Sequence, residues 1–426
     1  MIARMNGEHD FDRLMTAWFE ANAQVRAPDQ LLDSVITRTR GTRRRPGWLL
    51  PERWIPVQLT TRLQPVPRLA PLLLLVALLI AAALAIAIVG SRPRVPAPFG
   101  IAGNGRIAYL SNGQIYTSNP DGSDPFRLTS AKSGAATPTW SHDGTRLTYK
   151  RLSDNEPADD PTLYGDLVVV KPDGSGEVTI AERMTGLSPG IWSPDDRLIV
   201  YSYATAPDFE QVFIAAADGS SPPVQVGDRT TFNWGPTWSP DGTRLSYISD
   251  NQVFVINRDG SGRRLLSKGR YAQNSGARWA LDGTHLVFSA GEPGQHDLWI
   301  VGLDGREEIQ LTSEITSEDN PALSPDGSVL AYLQWAAGSD RTRVFVMGAD
   351  GANPRILDGQ YGSLGPVWSP DGTKLVVGDG AFNPPNFFAL DATGTSPPTA
   401  LALPASAQPI GLTNLVEIPD WQRIAP

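Results

Sequence analysis

The chain has 426 residues, with 41 Gly, 37 Pro, no Cys and a formal net charge of −9. The lack of Cys excludes disulfides and thiolate metal sites. The acidic balance argues against a nucleic-acid partner, and the length allows a large core without covalent staples.

Residues 1–68 stand apart in charge, with 11 Arg against 7 Asp or Glu, a net of +4; the remainder nets −13. Within them Phe11, Leu14, Met15, Trp18 and Phe19 fall at i, i+3, i+4, i+7 and i+8, one apolar face of a predicted helix. A second short helix is predicted after Pro28, with Leu31, Leu32, Val35 and Ile36 inward. Two short helices make a weak core alone. Two readings stand. The segment is a helical hairpin resting on a membrane through Arg43–Arg45, Trp48 and Trp54, or Phe11, Leu14, Trp18 and Phe19 are a docking face for a protein partner.

Leu69–Val89 is 21 residues long, carries no charge and is rich in Leu, Ala, Ile and Val. About 20 apolar residues span a bilayer, so residues 69–90 are a predicted transmembrane helix. The length of this run, and the 68 residues before it, argue against a cleaved signal peptide. Eight Arg between Arg38 and Arg68 precede it, while Arg92 and Arg94 alone follow before Arg106. This bias places the N-terminus in the cytoplasm and the acidic remainder outside a bacterial cytoplasmic membrane, in a single pass. Residues 91–104 form a linker, stiffened by three prolines between Arg92 and Pro98. The layout, with residues 10–40, resembles transmembrane anti-sigma factors: a helical cytoplasmic piece, one span and an exported sensor. That resemblance implies signalling through the inner helices. The zinc-binding form of that family needs a His/Cys cluster; here His9 stands alone, so the resemblance is to a zinc-free form.

Residues 105–426 repeat. Trp140-Ser141-His142-Asp143-Gly144, Trp238-Ser239-Pro240-Asp241-Gly242 and Trp368-Ser369-Pro370-Asp371-Gly372 are the clearest copies. Looser ones start at Trp192 (with Asp195), Trp279 (with Asp282) and Leu323 (with Asp326). Pro presets φ, Asp accepts from backbone N–H groups and Gly takes the left-handed conformation. A strand is predicted after each turn: 146–150, 197–201, 244–248, 285–289, 329–333 and 374–377. The copy at Trp192 reads as one residue shorter before its strand. A seventh strand, Arg106–Leu110, has no turn before it. A second strand follows each first one and ends in Asp-Gly or a relative, seven times, from Asp121-Gly122 to Thr393-Gly394. Runs such as Leu167-Val168-Val169-Val170 suit strands buried between sheets.

The last copy explains the first. Pro419-Asp420-Trp421 matches the Pro-x-Trp before most turns but has no turn after it, and the first repeat lacks that strand. The fold class is therefore all-β: a seven-bladed β-propeller closed by its terminal strand, preceded by a transmembrane helix and a small α-helical segment.

The Pro-x-Trp-Ser-Pro-Asp-Gly-x-x-Leu pattern resembles the TolB-type, WD-repeat-like propeller family over Gly105–Trp421. That resemblance implies an exported platform for protein or peptidoglycan-associated partners. A small-molecule or glycan ligand is left open, and no cofactor is expected. The same repeat type precedes the hydrolase domain of prolyl-oligopeptidase relatives. Such a domain needs about 200 further residues with a Ser elbow, and five residues follow Trp421. Gly186-Leu187-Ser188-Pro189-Gly190 spells a Gly-x-Ser-x-Gly string, but Pro189 opposes the strand–turn–helix elbow. A non-enzymatic binding or sensing module is expected, or else an envelope scaffold without signalling.

The other candidates read as turn chemistry. Asn119, Asp121 and Asp124 come nearest to a calcium loop yet lack its ligand spacing. His142, His285 and His296 show no metal-binding spacing. The acidic loop 154–161 is the longest insertion within a blade. Residues beside the repeated Trp are predicted to approach the central channel: Thr139, Ile191, Thr237, Arg278, Ala322 and Val367.

Overall fold

A computed structural model describes residues 99–424 except 131, 133, 154–163, 187, 207–208, 268–271, 273–275, 293, 336–340, 362–363, 380–385 and 402–419. The chain divides into two compact units, Met1–Arg92 and Pro93–Pro426. The first lies outside the described residues, and with it the predicted face of Phe11, Leu14, Trp18 and Phe19 and the apolar run Leu69–Val89. The acidic loop 154–161 lies outside them too. Among the described residues, no helix is long and apolar enough to cross a membrane.

The second unit is all-β. Its strands form seven four-stranded antiparallel sheets, the blades of a propeller. Blade 1 joins Gly103–Ser111, Gln114–Ser118 and Phe126–Arg127 to Asp420–Ile424 from the far end of the chain. Blades 2 to 7 span 135–184, 191–226, 233–265, 278–310, 317–361 and 364–400.

Each sheet is buried on both faces. In the strand Gly165–Val170, Val168 and Val170 pack against Ala108 and Ile115 of blade 1. Leu167 and Val169 pack instead against Trp192, Ile199 and Tyr201 of blade 3. Side chains alternate across a strand, so a strand between two neighbours must be apolar at every position. That is why these runs are continuous rather than alternating.

The turns fix the blades. Ser239 Oγ donates to Asp241 Oδ1 at 2.6 Å, and Oδ1 accepts from the Thr243 amide at 3.0 Å. Ser239 Oγ in turn accepts from the Arg244 amide, and Gly242 holds φ at 66°. The same Ser–Asp bond recurs at Asp143, Asp195, Asp326 and Asp371. Ala280 replaces Ser before Asp282, which still accepts from the Thr284 amide at 2.8 Å. Blade 3 corrects the sequence reading. Trp192 pairs with Ile199 as Trp140 pairs with Leu147 and Trp238 with Leu245, seven residues on in each case, so that turn is not shorter. Its strand is Leu198–Ala206, and Asp196 occupies the glycine position at φ 54°.

Closure follows the predicted pairing. Trp421 pairs with Ile107, and Asp420 with Ala108. The Arg106 amide donates to Gln422 Oε1 at 2.9 Å, and Gln422 Nε2 donates to the Gly144 carbonyl of blade 2 at 2.7 Å. Gly105 is required where the strands meet: a Cβ there would lie 2.8 Å from the Gln422 carbonyl oxygen.

Candidate binding channel

In blades 2, 4, 6 and 7 the innermost strand carries the Pro-x-Trp segment, Pro-Ala-Leu in blade 6, and bends at a bulge. Register shifts between Ala136 and Thr139, Trp234 and Thr237, Asp319 and Ala322, and Leu364 and Val367. Pro138, Pro236, Pro321 and Pro366 sit in these bulges, where no ladder N–H is needed. Thr137, Gly235 and Asn320 stand beside three of them at φ 53°, 60° and 54°. A left-handed β-branched residue such as Thr137 is strained. The bulge re-aims the residue just before each Trp.

The repeated Trp then locks blade to blade. Trp192 Nε1 donates to the Thr139 carbonyl at 3.2 Å, Trp238 Nε1 to Ile191 at 3.1 Å, and Trp279 Nε1 to Thr237 at 3.4 Å. Trp368 Nε1 donates to Ala322 at 2.9 Å. At the closure seam, the buried indole N–H groups of Trp140 and Trp421 have no partner among the described residues. There the Trp140 amide donates to Asp420 Oδ2 at 2.6 Å instead.

Two cavities meet along the innermost strands. One, of ≈ 380 Å³, opens among Trp192, Trp238, Trp279, Trp368 and Trp421, with Leu323 in the place of a sixth Trp. The other, of ≈ 470 Å³, is lined by Ser188, Ser202, Glu210, Trp234 and Asn320. Ile191, Thr237 and Arg278 line both, so they form the waist between them. Thr237 Oγ1 is held by Ser246 Oγ at 2.6 Å and by the Ala277 carbonyl at 3.0 Å. Arg278 has no hydrogen bond and no carboxylate within 4.0 Å among the described residues. Desolvation at this depth pulls its guanidinium pKa below the usual arginine range.

The acids of the channel are shifted the other way. Asp420 lines the upper cavity, and burial pushes its carboxyl up to about 6. Burial also raises Glu210, partly offset by the hydrogen bond it accepts from Ser202 Oγ.

The predicted channel residues separate. Ile191, Thr237 and Arg278 come together at the waist. Thr139 and Ala322 present their carbonyls to the Trp of the next blade. Val367 packs beside Ile107, Tyr109 and Trp421 at the seam. Asp420, absent from that set, holds the equivalent position in blade 1. The signal was available, because Pro419-Asp420-Trp421 carries the same motif.

Ser188 accepts from the Ser202 amide at 3.1 Å, and its hydroxyl lies 3.2 Å from Ser202 Oγ, whose proton goes to Glu210. The described histidines are engaged elsewhere: His142 with Asp196, His285 with Glu307 and His296 with Asp319. Asp121 accepts from the Ser123 amide, and Asp124 pairs with Arg106 at 3.0 Å. Among the described residues, no group of three or more His, Asp or Glu is arranged to hold a metal ion.

Comparison with known proteins agrees with this architecture. The chain is 28% identical over 251 residues to the uncharacterized protein Atu1656 of Agrobacterium fabrum, covering 56% of this chain and 82% of that one. It is 28% identical over 93 residues to a TolB homolog of Chlorobaculum tepidum, covering 22% of this chain and 21% of the homolog. Among solved structures, an oligogalacturonate lyase of Vibrio parahaemolyticus superposes with a TM-score of 0.52 at 13% identity, over 68% of this chain and 92% of that one. That likeness concerns the fold alone. A profile of the TolB beta propeller domain matches residues 102–370, well over half the length, and the chain belongs to that family.

Proposed function

We propose that this protein is an envelope binding module, a TolB-type propeller that holds a partner or ligand at its channel. The observation that carries this is the waist: two cavities meet on one closed ring at an arginine whose guanidinium has no partner among the described residues. Rigid scaffolds that present concave, Trp-lined openings are suited to binding. The membership in the TolB propeller family supports a role in protein interaction.

The finer reading is a membrane-tethered sensor. Residues 69–89 cross the cytoplasmic membrane once, the propeller lies outside, and Phe11, Leu14, Trp18 and Phe19 engage a cytoplasmic protein. The apolar run, the Arg bias and the amphipathic spacing support it. The full-length protein in membranes should co-purify with one cytoplasmic partner, and Trp18→Asp should abolish this. Replacement of residues 1–68 by an unrelated anchor without loss of function would favour a plain envelope scaffold. External protease on spheroplasts should cut the linker at 92–98; its protection would contradict the topology. The propeller acts without catalysis in this reading, because Ser188 is met by Ser202 and not by an imidazole. Labelling of Ser188 by a serine-directed activity probe would contradict that.

A further inference from the structure

Arg278 is a charged side chain of the channel whose guanidinium meets no hydrogen-bond or carboxylate partner among the described residues. The fixed fork of its guanidinium carries five donors and suits a carboxylate in bidentate contact. Arg278 is half-buried and faces both cavities, and a partly desolvated cation that meets no partner among the described residues is held at a cost to the fold. Both cavities reach it, and their volumes, ≈ 380 and ≈ 470 Å³, match small-molecule sites.

The surrounding chemistry narrows the ligand. Arg278 is the one cation among the residues lining the lower cavity, where Glu210 is the one acid. Asn320, strained at φ 54°, lines the same cavity with no hydrogen bond to its side chain among the described residues. Ser188 Oγ accepts from the Ser202 amide at 3.1 Å, and its hydroxyl is held only by contacts of 3.2 Å to Ser202 Oγ, whose own proton goes to Glu210, and 3.4 Å to the Pro189 carbonyl. The wall therefore offers one cation, an amide and a loosely held hydroxyl beside the indole of Trp234. Residues 69–426 net −13, and Glu210 and Asp420 flank the waist, so a dianion is disfavoured and a monoanion suits.

We propose that the waist binds a carboxylate: Arg278 takes the carboxylate of a hydroxylated monoanion, or of a peptide side chain inserted into the channel, and Asn320 and Ser188 take its neighbouring polar groups. This rests on the reading of the propeller as a binding module and names the chemistry of its site.

The test is titration of the full-length protein, followed by calorimetry and thermal unfolding. The probes are gluconate, its neutral counterpart sorbitol, and a blocked peptide bearing a single glutamate. Gluconate or the peptide should bind one to one and raise Tm, and whichever binds identifies the source of the carboxylate. Sorbitol should do neither. Arg278→Leu should weaken binding by roughly 10- to 100-fold, the loss expected for a charge-assisted pair, without lowering the Tm of the unliganded protein. Arg278→Lys keeps the charge and loses the fork, so it should bind at an intermediate level even if the Leu variant folds poorly. Equal binding of sorbitol, full affinity in Arg278→Leu, or no binding of either carboxylate up to roughly 10 mM would overturn the proposal. A protein partner held by the propeller equally well in wild type and Arg278→Leu would leave the binding-module reading standing while this proposal fails, so the two failures are told apart.

Discussion

The turns and the waist lie one residue apart in sequence and obey different rules. At the turns, blade after blade repeats one set of bonds: Ser Oγ to Asp Oδ1, Asp Oδ1 to the amide two residues on, and Trp Nε1 to the carbonyl of the preceding blade. At the position just before the Trp, the side chains are Asp420, Thr139, Ile191, Thr237, Arg278, Ala322 and Val367 around the ring. The bond that repeats there uses the backbone carbonyl, while the side chains are engaged differently from blade to blade: Asp420 and Thr237 through hydrogen bonds, Val367 through packing. Repetition marks what holds the ring together, and variation marks where specificity can be placed.

Substitutions should respect this division. The largest effect is expected at a repeated Trp. Trp238→Ala empties a site packed against Val200, Val212 and Tyr247 and removes the bond to Ile191. It should cost about 3–5 kcal/mol and lower Tm by roughly 10 °C in calorimetry. Next comes the seam, where Gly105→Ala forces a Cβ against Gln422. A loss of about 1–3 kcal/mol is expected from overpacking, measured by denaturant unfolding. An unchanged midpoint would show that the terminal strand adds little to closure.

Asp420 gives a pH signature. Its folded pKa, about 6, lies above the ordinary value of 3.8. A carboxyl raised in this way favours folding when protonated. Its contribution is present below about pH 4 and is lost as pH rises through about 6. Asp420→Asn should therefore be more stable than wild type at pH 7.5, by on the order of 1–3 kcal/mol, and the two should converge near pH 4. The lower end of that range is expected, because Asp420 keeps part of its surface open to the channel. A smaller effect is expected at one turn. Asp241→Ala removes the bonds from Ser239 and Thr243 and should cost about 1 kcal/mol.

Much of this architecture was legible because it is local. The Trp-Ser-Pro-Asp-Gly turn is set by five consecutive residues, and Pro419-Asp420-Trp421 disclosed the closing strand by matching an internal motif. The clamps between distant segments were not legible. Asn104 and Asp371 exchange two hydrogen bonds across 267 residues of sequence. Asp196 takes the place of a glycine and accepts from the amides of His142 and Asp143 on the neighbouring blade. Neither pairing has a spacing to read, because blade geometry alone brings the partners together. Arg278 could be placed near the channel from its offset to Trp279. That its guanidinium meets no partner among the described residues depends on the neighbouring blades and needs the packed structure.

The most direct measurement compares the Tm of unliganded Arg278→Leu with that of Asp241→Ala. If the waist is built for a ligand and the turn for the fold, removing the unpaired guanidinium should leave Tm unchanged or raised, while removing the turn carboxylate lowers it by about 2–4 °C. A drop in Arg278→Leu as large as that in Asp241→Ala would make Arg278 a structural residue and contradict the division between turn and waist.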